Sequence, residues 1–145
     1  MEKALEERML IYRTLEKRLE ALSNQQSAFA SKIVEIQNTL SSIEEVKREN
    51  ADIFFPLGSA AYVKGKVSDR EKIIVELGAN VAIEKSMEEG KKILEKRKKE
   101  LEDAIGSLQN NIQSIVKMMQ QIEMEVQGMV SKAQEESGKF KVVNS

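Results

Sequence analysis

Residues 51–85 read ADIFFPLGSAAYVKGKVSDREKIIVELGANVAIEK. The stretch holds the chain's only proline, Pro56, and three of its seven glycines, Gly58, Gly65 and Gly78. Side chains alternate through it: Val63, Gly65 and Val67 against Tyr62, Lys64 and Lys66, then Ile73, Val75 and Leu77 against Ile74 and Glu76, then Val81 and Ile83 against Ala82 and Glu84. A period of two with β-branched residues predicts half-buried strands, because successive side chains on a strand point to opposite faces. Four short strands are expected, near 52–55, 60–67, 72–77 and 81–85, and two hairpins fit them. Pro56-Leu57-Gly58-Ser59 and Gly78-Ala79-Asn80 read as breaks between strands, and Ser68-Asp69-Arg70-Glu71 as a hairpin turn.

On either side the period changes to that of paired helices. Alternating steps of three and four give Leu5, Arg8, Tyr12, Leu15, Leu19, Leu22, Gln26, Phe29, Ile33, Ile36, Leu40 and Ile43, and only Arg8 and Gln26 break the apolar run. A 3.5-residue repeat keeps one stripe facing a partner helix under left-handed supercoiling. After the strands, Ser86-Met87-Glu88-Glu89 reads as a capping box, in which Ser86 accepts from an early N–H and Glu89 reaches back. The seam resumes through Leu101, Ile105, Leu108, Ile112, Ile115, Met119, Ile122, Val126 and Met129. Upstream it persists at Met87 and Leu94, diluted by Lys91 and Lys98. Gly90, Gly106 and Gly128 read mainly as tolerated weak points, with Gly128 the best candidate for close packing. The helix is expected to stop near Gly138, leaving a loose tail from Lys139 to Ser145.

Composition removes whole classes of function. The chain has no Cys and no His, which excludes disulfides, thiolate catalysis, imidazole acid–base chemistry and the common zinc sites. No catalytic, cofactor-binding or metal-binding residue is expected, and no phosphate-binding loop is present. The net charge of -1 gives no reason to expect nucleic acid or a membrane surface as partner. The run Lys91 to Lys99 reads as an exposed helix face, with Glu95 and Glu100 offering ion pairs. Glu6/Glu7, Glu44/Glu45, Glu88/Glu89 and Glu135/Glu136 read as solvated. No apolar run approaches the roughly 20 residues of a membrane span, and the first residues lack a secretory h-region, so a cytoplasmic protein is expected.

These features predict a mainly α fold, a long antiparallel two-helix coiled coil with two central β-hairpins. The chain reads as one domain: a helix at 1–50, a hairpin hub at 51–85, a second helix at 86–137 and a tail at 138–145. Folding the second helix back along the first buries both stripes and brings the chain ends together at a tip. A sheet of four short strands is too small to complete itself and leaves unpaired edges. The hub is therefore expected to assemble with other subunits into an inter-subunit β-barrel through Phe54, Pro56, Leu57, Val63, Val67, Ile73, Val75, Leu77, Val81 and Ile83. A small capped sheet on a monomeric helical hairpin is the alternative.

From Phe54 to Gly90 the sequence resembles the central region of archaeal prefoldin alpha subunits. The resemblance rests on Pro56-Leu57-Gly58, Tyr62-Val63-Lys64, Val75-Glu76-Leu77-Gly78 and the run Val81 to Met87. It implies a hexamer of two alpha and four prefoldin beta subunits, with two hairpins from each alpha chain. It also implies ATP-independent capture of unfolded client proteins and their transfer to a group II chaperonin. At the tip, Met1, Leu5, Met9, Leu10 and Ile11 meet Met124, Val126, Met129 and Val130, more apolar residues than one seam can bury. Flexible methionine suits a surface that accepts many shapes, and these nine residues are the expected client-binding tip. A structural scaffold or tether without client binding is the alternative function.

Overall fold

A computed structural model describes residues 2–48 and 52–139. Met1 of the expected tip and most of the expected tail lie outside the described residues. The elements in chain order are α1 (Glu2–Arg48), β1 (Ile53–Gly58), β2 (Ala61–Gly65), β3 (Lys72–Gly78), β4 (Val81–Ser86) and α2 (Met87–Lys139). The described residues fall into two compact units. One is Phe29–Asp103, and the other joins the residues up to Ala28 with those from Ala104 onward.

Each end of α1 carries charge that suits the helix dipole: Glu2 in the first turn, Lys47 and Arg48 in the last. The start of α2 is fixed by its predicted cap, since the Glu89 N–H donates to Ser86 Oγ at 3.2 Å. Here strand passes directly into helix. The Met87 N–H still donates to the Glu71 carbonyl at 2.9 Å, extending the β3–β4 ladder by one step as the helix begins.

In the first unit the helices pair antiparallel. Lys98 Nζ donates to Gln37 Oε1 at 2.7 Å, Lys91 Nζ lies 3.1 Å from Glu44 Oε1, and Lys47 pairs with Glu88. Seven residues forward on α1 match seven back on α2, one heptad on each. Ile36, Leu40 and Ile43 bury against Met87 and Leu94, with Val46, Ile73 and Leu101 packed around them. Lys91 and Lys98, which dilute the sequence pattern, are half-buried beside this core with their ammonium groups partnered. Along α2 itself the basic run pairs through Lys98 and Glu102. Glu95 and Glu100 make no ion pair among the described residues.

In the second unit the two polar interruptions of the α1 seam are both answered across the helix pair. Gln26 Nε2 donates to Gln109 Oε1 at 2.9 Å, and Arg8 Nε lies 3.1 Å from Glu125 Oε2. Tyr12 Oη donates to Glu123 Oε1 at 2.7 Å, while Leu108, Ile115, Met119 and Ile122 are buried. Every seam position of α1 is half-buried or buried, and between residues 2 and 43 no other residue is. The heptad reading of both helices holds.

The strands form two separate antiparallel hairpins, β1–β2 and β3–β4. Their turns fall at the two expected breaks between strands. Ser59-Ala60 and Ala79-Asn80 take left-handed φ at both central positions, which gives hairpin turns whose twist matches that of the strands. Gly58 and Gly78, at φ 116° and 103°, accompany a register shift just before each turn. Ser68-Asp69-Arg70-Glu71 is not a hairpin turn: it links the two hairpins, and Asp69 Oδ1 accepts the Glu71 N–H at 2.9 Å. Pro56 is not a break but lies inside β1, opposite Tyr62. β2 ends at Gly65, two residues before the alternation does.

Candidate assembly and binding surfaces

Pairing places the predicted hub residues on different faces. In the first hairpin Ile53 faces Gly65 and Phe55 faces Val63, while Phe54 faces Lys64 and Pro56 faces Tyr62. Side chains alternate across a strand, so Phe54 and Pro56 share one face, and Val63 the other with Phe55. The Phe55 ring lies over the Cα of Gly65, filling the space its missing side chain leaves. Both faces remain open: Phe54, Phe55, Leu57, Tyr62 and Val63 are all exposed. Val67, beyond the end of β2, is half-buried.

The second hairpin is docked. Ile73, Val75 and Ile83 share a face, and Val75 is only 5% exposed. That face turns to the start of α2, where Ile73 and Val75 approach Gly90. Gly90 is thus the closely packed glycine, and no atom lies where a Cβ on Gly128 would reach. The sequence pointed to the wrong one, because helix periodicity does not report which strand crosses which turn. Leu77 and Val81 stay exposed at the turn end of this hairpin. On the opposite face Ile74 is 71% exposed beside Glu84. Alternation had set Ile74 aside as the minority face, as it had Tyr62.

Two arginines hold this arrangement. Arg70, in the link between hairpins, donates from Nε to the Val46 carbonyl (2.9 Å) and from Nη2 to the Lys47 carbonyl (2.6 Å). It thereby caps the last turn of α1, whose carbonyls have no helical partner. Arg97 on α2 donates to the Glu76 carbonyl of β3 at 2.6 Å.

In the other unit the start of α1 lies beside the end of α2, and two small apolar grooves open there. One, of about 310 Å³, is lined by Glu2, Leu5, Met129, Val130, Ala133, Gln134 and Ser137. The second, of about 280 Å³, is lined by Met9, Tyr12, Ile122, Glu123, Val126 and Gln127. Leu5, Val126 and Met129 are half-buried in the seam, whereas Met9, Ile11 and Val130 are exposed. Leu10 and Met124 project furthest, at 65% and 73% exposed. The Tyr12 phenol beside the second groove is held above its ordinary pKa, chiefly by its hydrogen bond to Glu123.

Among the described residues no group of acidic side chains is placed to hold a metal, and no helix is long and apolar enough to cross a membrane. The surfaces can offer backbone edges and apolar contact.

Comparison with known proteins agrees with this geometry. The Prefoldin subunit family matches residues 15–132. Prefoldin subunit alpha of Pyrococcus horikoshii is 29% identical over 59 residues, 41% of this chain and 40% of that protein. Prefoldin subunit alpha of Methanococcus vannielii is 29% identical over 89 residues, 61% and 60% of the two chains. Prefoldin subunit alpha 1 of Thermococcus kodakarensis is 29% identical over 94 residues, 63% and 64%. The matches thus span less than two thirds of the length of these curated relatives. The cryo-EM structure of filamentous PFD from Methanocaldococcus jannaschii shares the fold, with a TM-score of 0.68 over 83% of this chain and 98% of that one, at 24% identity. The resemblance read from the hub is borne out.

Proposed function

This chain belongs to the prefoldin subunit family, and from that premise we propose that it is the alpha-type subunit of an ATP-independent co-chaperone. Two copies assemble with four beta subunits, and the exposed hairpins of several chains close into β-barrels. The helix ends capture unfolded polypeptides in the cytoplasm and pass them to a group II chaperonin. It catalyses no reaction.

The observation that carries this reading is the pair of apolar grooves at the helix ends, with Leu10 and Met124 projecting beside them. Monomeric proteins rarely leave such surface open without a use. Each groove is small, so a single contact is weak. Grooves repeated on several subunits hold one client through high effective concentration. Methionine at Met9, Met124 and Met129 adapts to varied client side chains. The hub residues Phe54, Pro56, Leu57, Val63, Leu77 and Val81, exposed in the single chain, support subunit assembly. Ile73, Val75 and Ile83 act from beneath by seating the second hairpin.

The test is aggregation of a chemically denatured protein diluted into buffer with the complex assembled from this chain and a prefoldin beta subunit. Suppression at stoichiometric amounts without nucleotide is expected. A complex that assembles yet gives no protection in excess removes the client-binding reading and leaves a scaffold.

A further inference from the structure

Sulfur enters this chain only as methionine, of which there are seven, with no Cys. Its distribution is uneven. Met9, Met118, Met119, Met124 and Met129 belong to the unit that holds the helix ends, and of the described methionines only Met87 belongs to the other. Met87 is buried in the core with Ile36, Leu40, Ile43 and Leu94, and Met119 is buried in the seam. The rest meet water. Met124 is the most exposed, Met118 and Met9 follow at 49% and 37%, and Met129 is half-buried.

Three of these accessible sulfurs lie at the apolar grooves. Met129 lines one groove and Met9 the other. Met124 follows Glu123, which walls the second groove. The contacts of Glu123 with Tyr12 and of Glu125 with Arg8 pin α2 on both sides of Met124. Its thioether therefore stays on the outward face of a fixed helical turn. Met118 is also exposed but lines neither groove.

A thioether needs only access to react with a peroxide, and no thiol of this chain competes with it. The sulfur lone pair attacks one oxygen of hydrogen peroxide, and the O–O bond breaks as the S–O bond forms. The proton on the transferred oxygen passes to the departing hydroxide, which leaves as water. Sulfur is oxidised by two electrons and the peroxide is reduced by two. The sulfoxide is polar where the thioether was apolar. Pressed against an apolar client side chain, its oxygen loses water and gains no partner, which opposes binding. We propose that Met9, Met124 and Met129 form a reversible oxidation site through which peroxide lowers the capture of unfolded polypeptide. This rests on the client-binding reading of the helix ends and names a regulation of that same surface. Met87 and Met119, shielded in the core and the seam, keep the helix pair intact while the surface changes.

The experiment treats the complex of the full-length chain and a prefoldin beta subunit with hydrogen peroxide. Peptide mass spectrometry then maps the sulfoxides, and suppression of aggregation of a denatured protein is measured. Sulfoxide is expected first at Met124, next at Met118 and Met9, and last at Met119 and Met87. Protection should fall several-fold, then return when the two stereospecific methionine sulfoxide reductases, supplied with dithiothreitol, remove the oxygen. Each variant complex is compared with its own untreated state. The M9L/M124L/M129L complex should lose little to peroxide, and the M118L complex should lose as much as the parent. Leucine conserves the volume of methionine, and the parent's loss and recovery need no variant. Met87 and Met119 oxidising as fast as Met124 overturns the inference. So does an equal loss in the M9L/M124L/M129L complex, which would place the sensitive residues elsewhere, or a spared M118L complex. An untreated parent that protects, with an oxidised one that protects equally, overturns this inference alone. An untreated parent that gives no protection overturns the client-binding reading and this inference with it.

Discussion

The Cα of Gly90, on the first turn of α2, lies under the side chain of Ile73 on β3, so closely that no Cβ fits between them. This contact, with Val75 beside it, seats the second hairpin on the helix pair. The first hairpin, by contrast, exposes both faces.

Gly90→Ala should therefore destabilise the chain despite alanine's better helix propensity. Overpacking against Ile73 costs about 1–3 kcal/mol, more than the roughly 1 kcal/mol that alanine contributes in a helix. Gly106→Ala and Gly128→Ala, where no atom lies within 4 Å of the new Cβ, should be neutral to stabilising. Chemical denaturation of the three variants checks the contrast. Equal gains in all three would mean the β3–α2 contact is absent.

Arg70→Ala should loosen the end of α1. Its guanidinium satisfies two carbonyls in a partly buried setting, and hydrogen bonds from a charged group contribute about 1.5–3 kcal/mol. Amide hydrogen exchange in the last turn of α1 and in the link at 66–71 should quicken, while exchange around Leu108 and Ile115 stays unchanged. Arg70→Lys should rescue little, because an ammonium lacks the planar fork that spans both carbonyls.

Stability should form a plateau at neutral pH with two falling limbs. The Glu88 carboxyl is held below its ordinary 4.5, chiefly by the hydrogen bond from Lys47. Its contribution is present above that ordinary value and is lost as pH falls through the lowered one. Lys91 is held above 10.5 by its hydrogen bond to Glu44, and Tyr12 above 10.0 by Glu123. Those contributions are full below the ordinary values and are lost as pH rises through the raised ones. Glu88 is exposed and Lys91 and Tyr12 are no more than half-buried, so the limbs should be shallow and weaken with salt. Thermal unfolding against pH checks this, and Glu88→Gln should flatten the acid limb alone.

Leu10→Ser with Met124→Ser should lower client protection several-fold without unfolding the helix pair. Both side chains project into water. Exposed substitutions usually change stability by no more than about 0.5 kcal/mol each, so the melting temperature should move by less than about 4 °C. A double variant that protects like the parent would remove the helix ends from client binding.

The seam was legible because its information is local. A 3.5-residue apolar repeat needs only helix geometry to become a stripe, and every α1 position it named is buried or half-buried. Four strands in two hairpins, the Ser86 cap and the resemblance to prefoldin alpha subunits were equally plain. The turn at Ser68–Glu71 was misjudged since turn-forming residues do not reveal whether the flanking strands pair with each other. The apolar residues of the minority strand face, Tyr62 and Ile74, were passed over because alternation assumes that a single face matters.

By itself the sequence determined two paired helices around two hairpins, through periodicities set by the backbone of each segment. Only the tertiary structure decided that Gly90 must be small, that Arg70 closes α1, and that Arg97 bonds the Glu76 carbonyl of β3. Those facts depend on which atoms from distant segments meet, and no local period encodes that.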